Sequence, residues 1–551
     1  MSPIATLSVA AQIDGPYIAT TATSFSTCDL TVNSTLTINN NAYVEVLNDI
    51  VVDPAGTLLV QSGGKLIPKS DTSTSTGIVS VRRTTPNLKM YDYTYWSSPV
   101  NCTINTALLP TNWWMNYSFT FETQNFDDIQ TQLGTTITPG ADGQDDDGDA
   151  WLLINPTSNF VAGKGYASMV HPSGTFPRTE TVTFTGALNT GIITYPMVLS
   201  ANTATNDDDF NLVGNPYSAS IFANNVINTN IDNISGTLNF WSHVGTLNSA
   251  YPGLAQLNFL PNDYAYYNLS GGTRASLFGG KTPSGYIASG QGFMVQAENA
   301  ANLEFKPSFM APGYLNDTPI NFFRMSNNND TNFFRMSNNV DNMRYWMSIS
   351  TELGLYSQQL VNYNSNTTLN YEKGWDFKQP EGRLAVKFYS IHTIKYKIQA
   401  RGEFNIEDVV KVGYFSAVAE TYTINLDSIE GIENVWVRDN GILHNLPYTF
   451  TTEAGEFNDR FEFVYQESSL GTNPVDRPNH GLVLVPNPAT NKVEIRFEQL
   501  CKNPLMYNIL GEKISIDYRI EKNRIIYEID ELSSGLYFIK VNDVTLKLIK
   551  K

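Results

Sequence analysis

The 551-residue chain is poor in several residue types, and each shortage removes a class of protein. Three cysteines, Cys28, Cys102 and Cys501, lie far apart and form no CxxC pair. Neither a disulfide-rich scaffold nor a thiolate zinc site can be built from them. One Cys28–Cys102 bridge and isolated thiols packed in cores both stay open as readings. The five histidines, His171, His243, His392, His444 and His480, never fall at ligand spacing, and no HExxH occurs. Basic residues are also scarce, with 35 Lys+Arg against 53 Asp+Glu and a formal net charge of −18. Nucleic acid and anionic lipid each need a basic face, so neither is expected as a partner. No run of 18 apolar residues exists, so no transmembrane helix is expected. The P-loop, the dinucleotide fingerprint and Gly-x-Ser-x-Gly are absent too.

Charged residues make up only 16% of the chain while aromatics reach 12%. Asn, Thr and Ser must therefore cover much of the surface, a composition that suits an extracellular all-β protein. At roughly 150 residues per domain the length predicts three or four units.

Residues 1–85 read as short strands at a nearly regular pitch. Leu30-Val32, Leu36-Ile38, Val44-Val46, Ile50-Val52, Leu58-Val60 and Leu66-Ile67 are separated by Asn, Pro and Gly turns. This fits the rungs of a β-solenoid, with a meander of hairpins as the alternative. Residues 86–312 carry aromatic and β-branched strands between polar loops, as in a large β-sandwich. Residues 313–344 form a linker in which Asn321-Phe-Phe-Arg-Met-Ser-Asn-Asn328 recurs as Asn332-Phe-Phe-Arg-Met-Ser-Asn-Asn339. Residues 345–466 predict a second β-sandwich, 467–480 a linker, and 481–551 a compact antiparallel end domain. That last stretch holds eleven basic and nine acidic residues, so the acidity belongs to the body.

Four motifs mark the end domain: Val485-Pro-Asn-Pro488, Met506-Tyr-Asn-Ile-Leu-Gly511, Leu532-Ser-Ser-Gly-Leu-Tyr-Phe-Ile-Lys-Val541 and Lys547-Leu-Ile-Lys550. Their physics stands alone. Pro486 and Pro488 remove donors and belong at a strand end, and Gly511 and Gly535 are read as turn positions where a Cβ would clash. The plain reading is an immunoglobulin-like end domain. Together the motifs resemble the C-terminal type A sorting domain of type IX secretion substrates of Bacteroidetes. The resemblance makes Pro486, Asn487, Pro488, Gly511, Gly535, Tyr537, Lys547 and Lys550 the sorting-signal residues. It implies the type IX translocon and outer-membrane shuttle and sortase proteins as partners, and a secreted or outer-membrane-attached product. The body is similar, less specifically, to modules that precede such tails in flavobacterial surface proteins. The stretches are Tyr93–Pro99, Phe210–Tyr217, Gly285–Phe293 and Asn458–Phe461, and their turn-rich order looks architectural. Export of this kind begins with a general signal peptide, and Met1-Ser-Pro-Ile has no basic n-region. The expectation is a C-terminal portion of a longer protein, or a misplaced start.

Chemistry is sparse. Asp142, Asp145, Asp147 and Asp149, interleaved with glycine, offer oxygen ligands to calcium, with a solvated acidic loop as the equal alternative. Calcium is the one cofactor for which the sequence offers a site. Polysaccharide hydrolysis needs two carboxylates across a cleft, yet Asp263, Glu304 and Asp376 share no motif. Trp113-Trp114, Trp375 and Tyr264–Tyr267 supply faces for sugar stacking or, more commonly, for a core. The expected role is a non-enzymatic adhesin or extracellular scaffold. A polysaccharide-binding or polysaccharide-degrading protein is the alternative.

Overall fold

Short β-branched runs cannot bury a face alone and do so by stacking on copies of themselves. A computed structural model shows that stacking. It describes residues 7–108, 113–125, 150–200, 209–242, 263–276, 282–311, 343–352, 354–380, 385–466, 483–496, 504–522, 524–541 and 544–551, with residues 247 and 259. The chain divides into two units, Met1–Glu467 and Ser468–Lys551.

The first unit begins with a solenoid of three strands per coil. Ala11–Ile13, Leu30–Val32, Ile50–Val52 and Ser75–Thr76 form one parallel wall. Tyr17–Ala19, Thr35–Ile38, Thr57–Val60 and Val79–Thr84 form the second, and Phe25–Thr27, Tyr43–Val46 and Lys65–Pro68 the third. In-register pairs such as Leu30 with Ile50, Leu36 with Leu58 and Val44 with Leu66 bury one side chain of each alternation inside the coil. Val79–Thr84 closes the stack. Its one edge pairs parallel to Thr57–Val60 and its other antiparallel to Thr181–Leu188, so this wall passes into the next module without a free edge.

In that next module a four-stranded sheet includes Tyr93–Trp96 and Tyr166–Val170, and a five-stranded sheet includes Phe210–Gly214, Ile234–Trp241 and Gly292–Ala297. Tyr95, Phe121, Ala167, Leu212 and Met294 form one apolar cluster drawn from both. Among the described residues the regular helices are short: Ile104–Leu108 and Ala223–Asn230. The strands from Met343–Ser350 to Gly455–Val464 form a single sheet of eleven. It folds over on itself, because Tyr414 in its middle packs edge-on against Phe450 of its edge strand, Tyr448–Thr452, at 5.2 Å.

The two described cysteines, Cys28 and Cys102, are free thiols, so the isolated-thiol reading is the one the structure supports. The acidic loop with Asp142, Asp145, Asp147 and Asp149, the duplicated octapeptides and Cys501 lie outside the described residues.

The second unit is a two-sheet antiparallel sandwich. One sheet holds Val483–Val485, Lys492–Arg496, Arg524–Glu528 and Tyr518–Glu521, and the other Lys513–Ile514, Leu505–Asn508, Gly535–Val541 and Val544–Lys550. Alternation fills its core with Val493, Ile495, Met506, Ile525, Tyr527, Ile539, Val541 and Leu548.

Candidate functional site

Three of the four tail motifs, scattered over the sequence, meet at the last strand, and the Met506–Gly511 motif joins them through the neighbouring strand Gly535–Val541. Pro486 and Pro488 flank Asn487 just after Val483–Val485, where missing N–H groups disturb no ladder. That leaves the Asn487 amide to act as a short piece of strand. Its Nδ2 donates to the Lys547 carbonyl at 2.7 Å, and its Oδ1 accepts from the Ile549 N–H at 2.9 Å. Ala489 continues the pairing, donating to the Ile549 carbonyl at 2.8 Å and accepting from the Lys551 N–H at 2.8 Å. The Pro-Asn-Pro turn thus clamps the C-terminal strand.

Along that strand Lys547 is exposed and Lys550 half-buried, and they pair with Phe538 and Gly535 of the neighbouring strand. Tyr537 is a core residue whose hydroxyl donates to the Ser533 carbonyl at 2.8 Å. Gly511 and Gly535 correct the sequence reading: no atom lies within 4 Å of a Cβ built at either. Their φ angles, +81° at Gly511 and +159° at Gly535, rather than crowding, account for glycine there.

Gly511 belongs to a turn organised by Asn508. Asn508 Oδ1 accepts from the N–H groups of Leu510 and Glu512, each at 3.0 Å, and its Nδ2 donates to the Glu512 carboxylate at 2.8 Å.

The body's singled-out segments also converge, but on packing. Asn215 is fully buried. Its Nδ2 lies within 2.9–3.1 Å of the carbonyls of Ala219, Ile287 and Ala288, and its Oδ1 accepts from the Tyr217 N–H at 3.0 Å. The Asn215 N–H donates to the Gln291 carbonyl at 3.0 Å and the Ser97 N–H to the Gly290 carbonyl at 2.8 Å, so three motifs join in one knot. A Cβ on Gly214 would sit 2.6 Å from Ser97 Cβ, which leaves room only for glycine. In the fourth segment, Arg460 forms a fork onto Asp439 at 3.0 and 2.9 Å and lies over the Phe450 and Phe461 rings. That guanidinium and the Tyr448 hydroxyl outweigh burial and hold the Asp439 carboxyl below the usual range.

The candidate acids are tied up separately. Burial pushes the Asp376 carboxyl up to about 7, against two backbone donors, Glu372 and Ala400, that bind it at 2.6 Å each. Glu304 pairs with Lys306 at 2.8 Å, and Asp263 is buried beside the Tyr264–Asn268 strand. Among the described residues no three His, Cys, Asp or Glu side chains are grouped for a metal.

One small cleft of about 10 Å³, room for about one water, is lined by Tyr264, Tyr266, Arg274, Tyr356, Gln379 and Lys397. Arg274 Nε donates to the Tyr356 hydroxyl at 2.7 Å and its Nη2 lies 3.3 Å from Asp427. Tyr264 and Tyr266 were legible as aromatic candidates. Arg274, Tyr356, Gln379 and Lys397 were not, since each sits singly in its segment and meets the others only through the fold. Of the other aromatic candidates, Trp375 uses its carbonyl to accept from Asn268 and Ser270, while the side chains of Trp113 and Trp114 lie outside the described residues.

The geometry of the tail defines a class: residues 483–551 match the Secretion system C-terminal sorting domain, so the chain is a type IX secretion substrate, secreted or held at the cell surface, of the kind Bacteroidetes export. Residues 3–465 match the family described as Domain of unknown function (DUF8693), and the chain belongs to that family. No curated protein and no solved structure matches it. No helix among the described residues is long and apolar enough to cross a membrane.

Proposed function

We propose that the body is a non-enzymatic adhesin or extracellular scaffold, delivered by the tail. The observation that carries this reading is the fate of the body's distinctive polar groups. Asn215, Asp376 and Arg460 all spend their hydrogen bonds on holding backbone and rings in place. Residues saturated in this way have nothing left for bond-breaking chemistry. The solenoid wall that runs on into the antiparallel strand Thr181–Leu188 supports a presenter of polar loops. Cells displaying the chain should hold to a surface that cells lacking it do not. Release of reducing ends from a polysaccharide by purified protein would sink the non-enzymatic reading.

A second reading, polysaccharide binding, is favoured by the cleft. Three tyrosines and a guanidinium at its wall offer aromatic surface and donors to a hydroxyl of a sugar laid across its mouth. Calcium binding by Asp142, Asp145, Asp147 and Asp149 belongs here as well. Calorimetry with calcium checks it, and no heat, with no effect of Asp145→Ala or Asp147→Ala, removes the site.

A further inference from the structure

Ile509 and Leu510 are adjacent in the sequence and are the two most exposed large apolar side chains among the described residues, at 66% and 78%. Single exposed aliphatics are ordinary on a protein surface, whereas two side by side at a loop tip make a sticky point that folding alone does not explain.

The loop that carries them is held stiff. Asn508 donates its backbone N–H to the Glu512 carbonyl at 3.0 Å and accepts from the Gly511 N–H at 3.1 Å. Its side chain ties down the N–H groups of Leu510 and Glu512 and the Glu512 carboxylate. With Gly511 at a φ of +81° the turn closes, leaving both aliphatic side chains outward. A flexible loop could fold such residues back onto the domain; this one presents them. Preorganisation of this kind lowers the ordering cost of binding.

We propose that the Ile509–Leu510 tip is a docking point by which the outer-membrane export machinery grips the tail, seating two neighbouring aliphatic side chains in an apolar recess. This rests on the tail being the sorting domain, whose task is to be bound by that machinery. That task makes a protein receptor the occupant, and the adjacent exposed charges Glu512 and Lys513 offset each other, leaving no net basic charge at the tip to draw it to an anionic bilayer.

The test uses the full chain in a host that carries the pathway. Four forms are compared: the parent, Ile509→Asn with Leu510→Asn, deletion of residues 481–551, and Ile442→Asn as an equally bare control in the body, exposed by 64%. Surface delivery is read by protease shaving of intact cells, and folding by the melting temperature of the purified proteins. The double variant should melt with the parent yet reach the surface about tenfold less, a change of about 1.4 kcal/mol. Ile442→Asn should export normally, and Ile509→Val with Leu510→Met should restore most delivery. Parent-level export of the double variant, with the deletion retained inside, overturns the docking point and leaves the sorting role standing. Normal export of the deletion overturns both. Co-sedimentation of the parent, but not the double variant, with phosphatidylglycerol vesicles would assign the tip to lipid and overturn the receptor.

Discussion

Asn487 and Lys547 stand 60 positions apart and meet through a hydrogen bond of 2.7 Å from the side-chain amide to the backbone carbonyl. The first and last motifs of the tail are therefore one structural device. Asn487→Ala should cost the tail about 1–2 kcal/mol, since it leaves the Ile549 N–H and the Lys547 carbonyl without their partner. Asn487→Asp should be no better, because a carboxylate would face that carbonyl. Limited proteolysis of the tail, followed against the body as internal control, reads both.

Asn215 and Gly214 carry the second prediction. Asn215→Ala strips a partner from the Tyr217 N–H and from the Ala219, Ile287 and Ala288 carbonyls inside the core, for a loss of about 2–4 kcal/mol. Gly214→Ala drives a Cβ into Ser97 and should cost about 1–3 kcal/mol by overpacking. Denaturant unfolding of the body checks each. A parent-like midpoint for either variant would show that the knot of three motifs is not what holds the module.

Lys397 gives a pH signature. Burial lowers its ammonium to about 7, and its Nζ donates to the Ser357 hydroxyl at 3.1 Å. A lysine depressed in the folded state is neutral there while still protonated in the unfolded chain. Between about pH 7 and the ordinary lysine range near 10, the unfolded state therefore holds the extra proton. Stability rises with pH across that window and is lost as pH falls toward 7. Lys397→Met should remove this slope and leave the protein at least as stable at pH 7, as replacement of a buried charge by an apolar chain commonly does. Chemical unfolding of parent and variant at pH 7 and pH 9.5 isolates the difference.

Gly511→Ala separates backbone strain from crowding. Nothing lies within 4 Å of the added Cβ, so the cost should be about 1 kcal/mol, arising from the φ of +81° alone. Gly511→Asn, which tolerates that conformation better, should recover part of it. Thermal unfolding of the tail gives the ranking.

Much of the fold was legible because it rests on alternation. Leu30, Leu36, Val44, Ile50, Leu58 and Leu66 each declare an inward face at short range, and stacking completes the solenoid. The tail strands read equally well. Periodicity, however, says which face is buried and not what lies opposite. Nothing local in Trp346 announces that its Nε1 donates to the Gly272 carbonyl at 2.7 Å, or in Arg344 that it reaches the Ser270 carbonyl at 2.8 Å. The cleft was hidden for the same reason, since its wall is assembled from five separate stretches of chain. At Gly511 and Gly535 the residue type was read correctly as a backbone requirement but the cause was misplaced, because crowding depends on distant neighbours that a turn motif does not reveal.

The central claim is that the final sandwich, and not the acidic body, addresses the chain to the cell surface. Deleting residues 481–551 and following the remainder in a host with the type IX pathway tests it most directly. Retention of a folded body inside the outer membrane is the predicted result. Surface delivery of that truncated body at the parent's level would contradict the account.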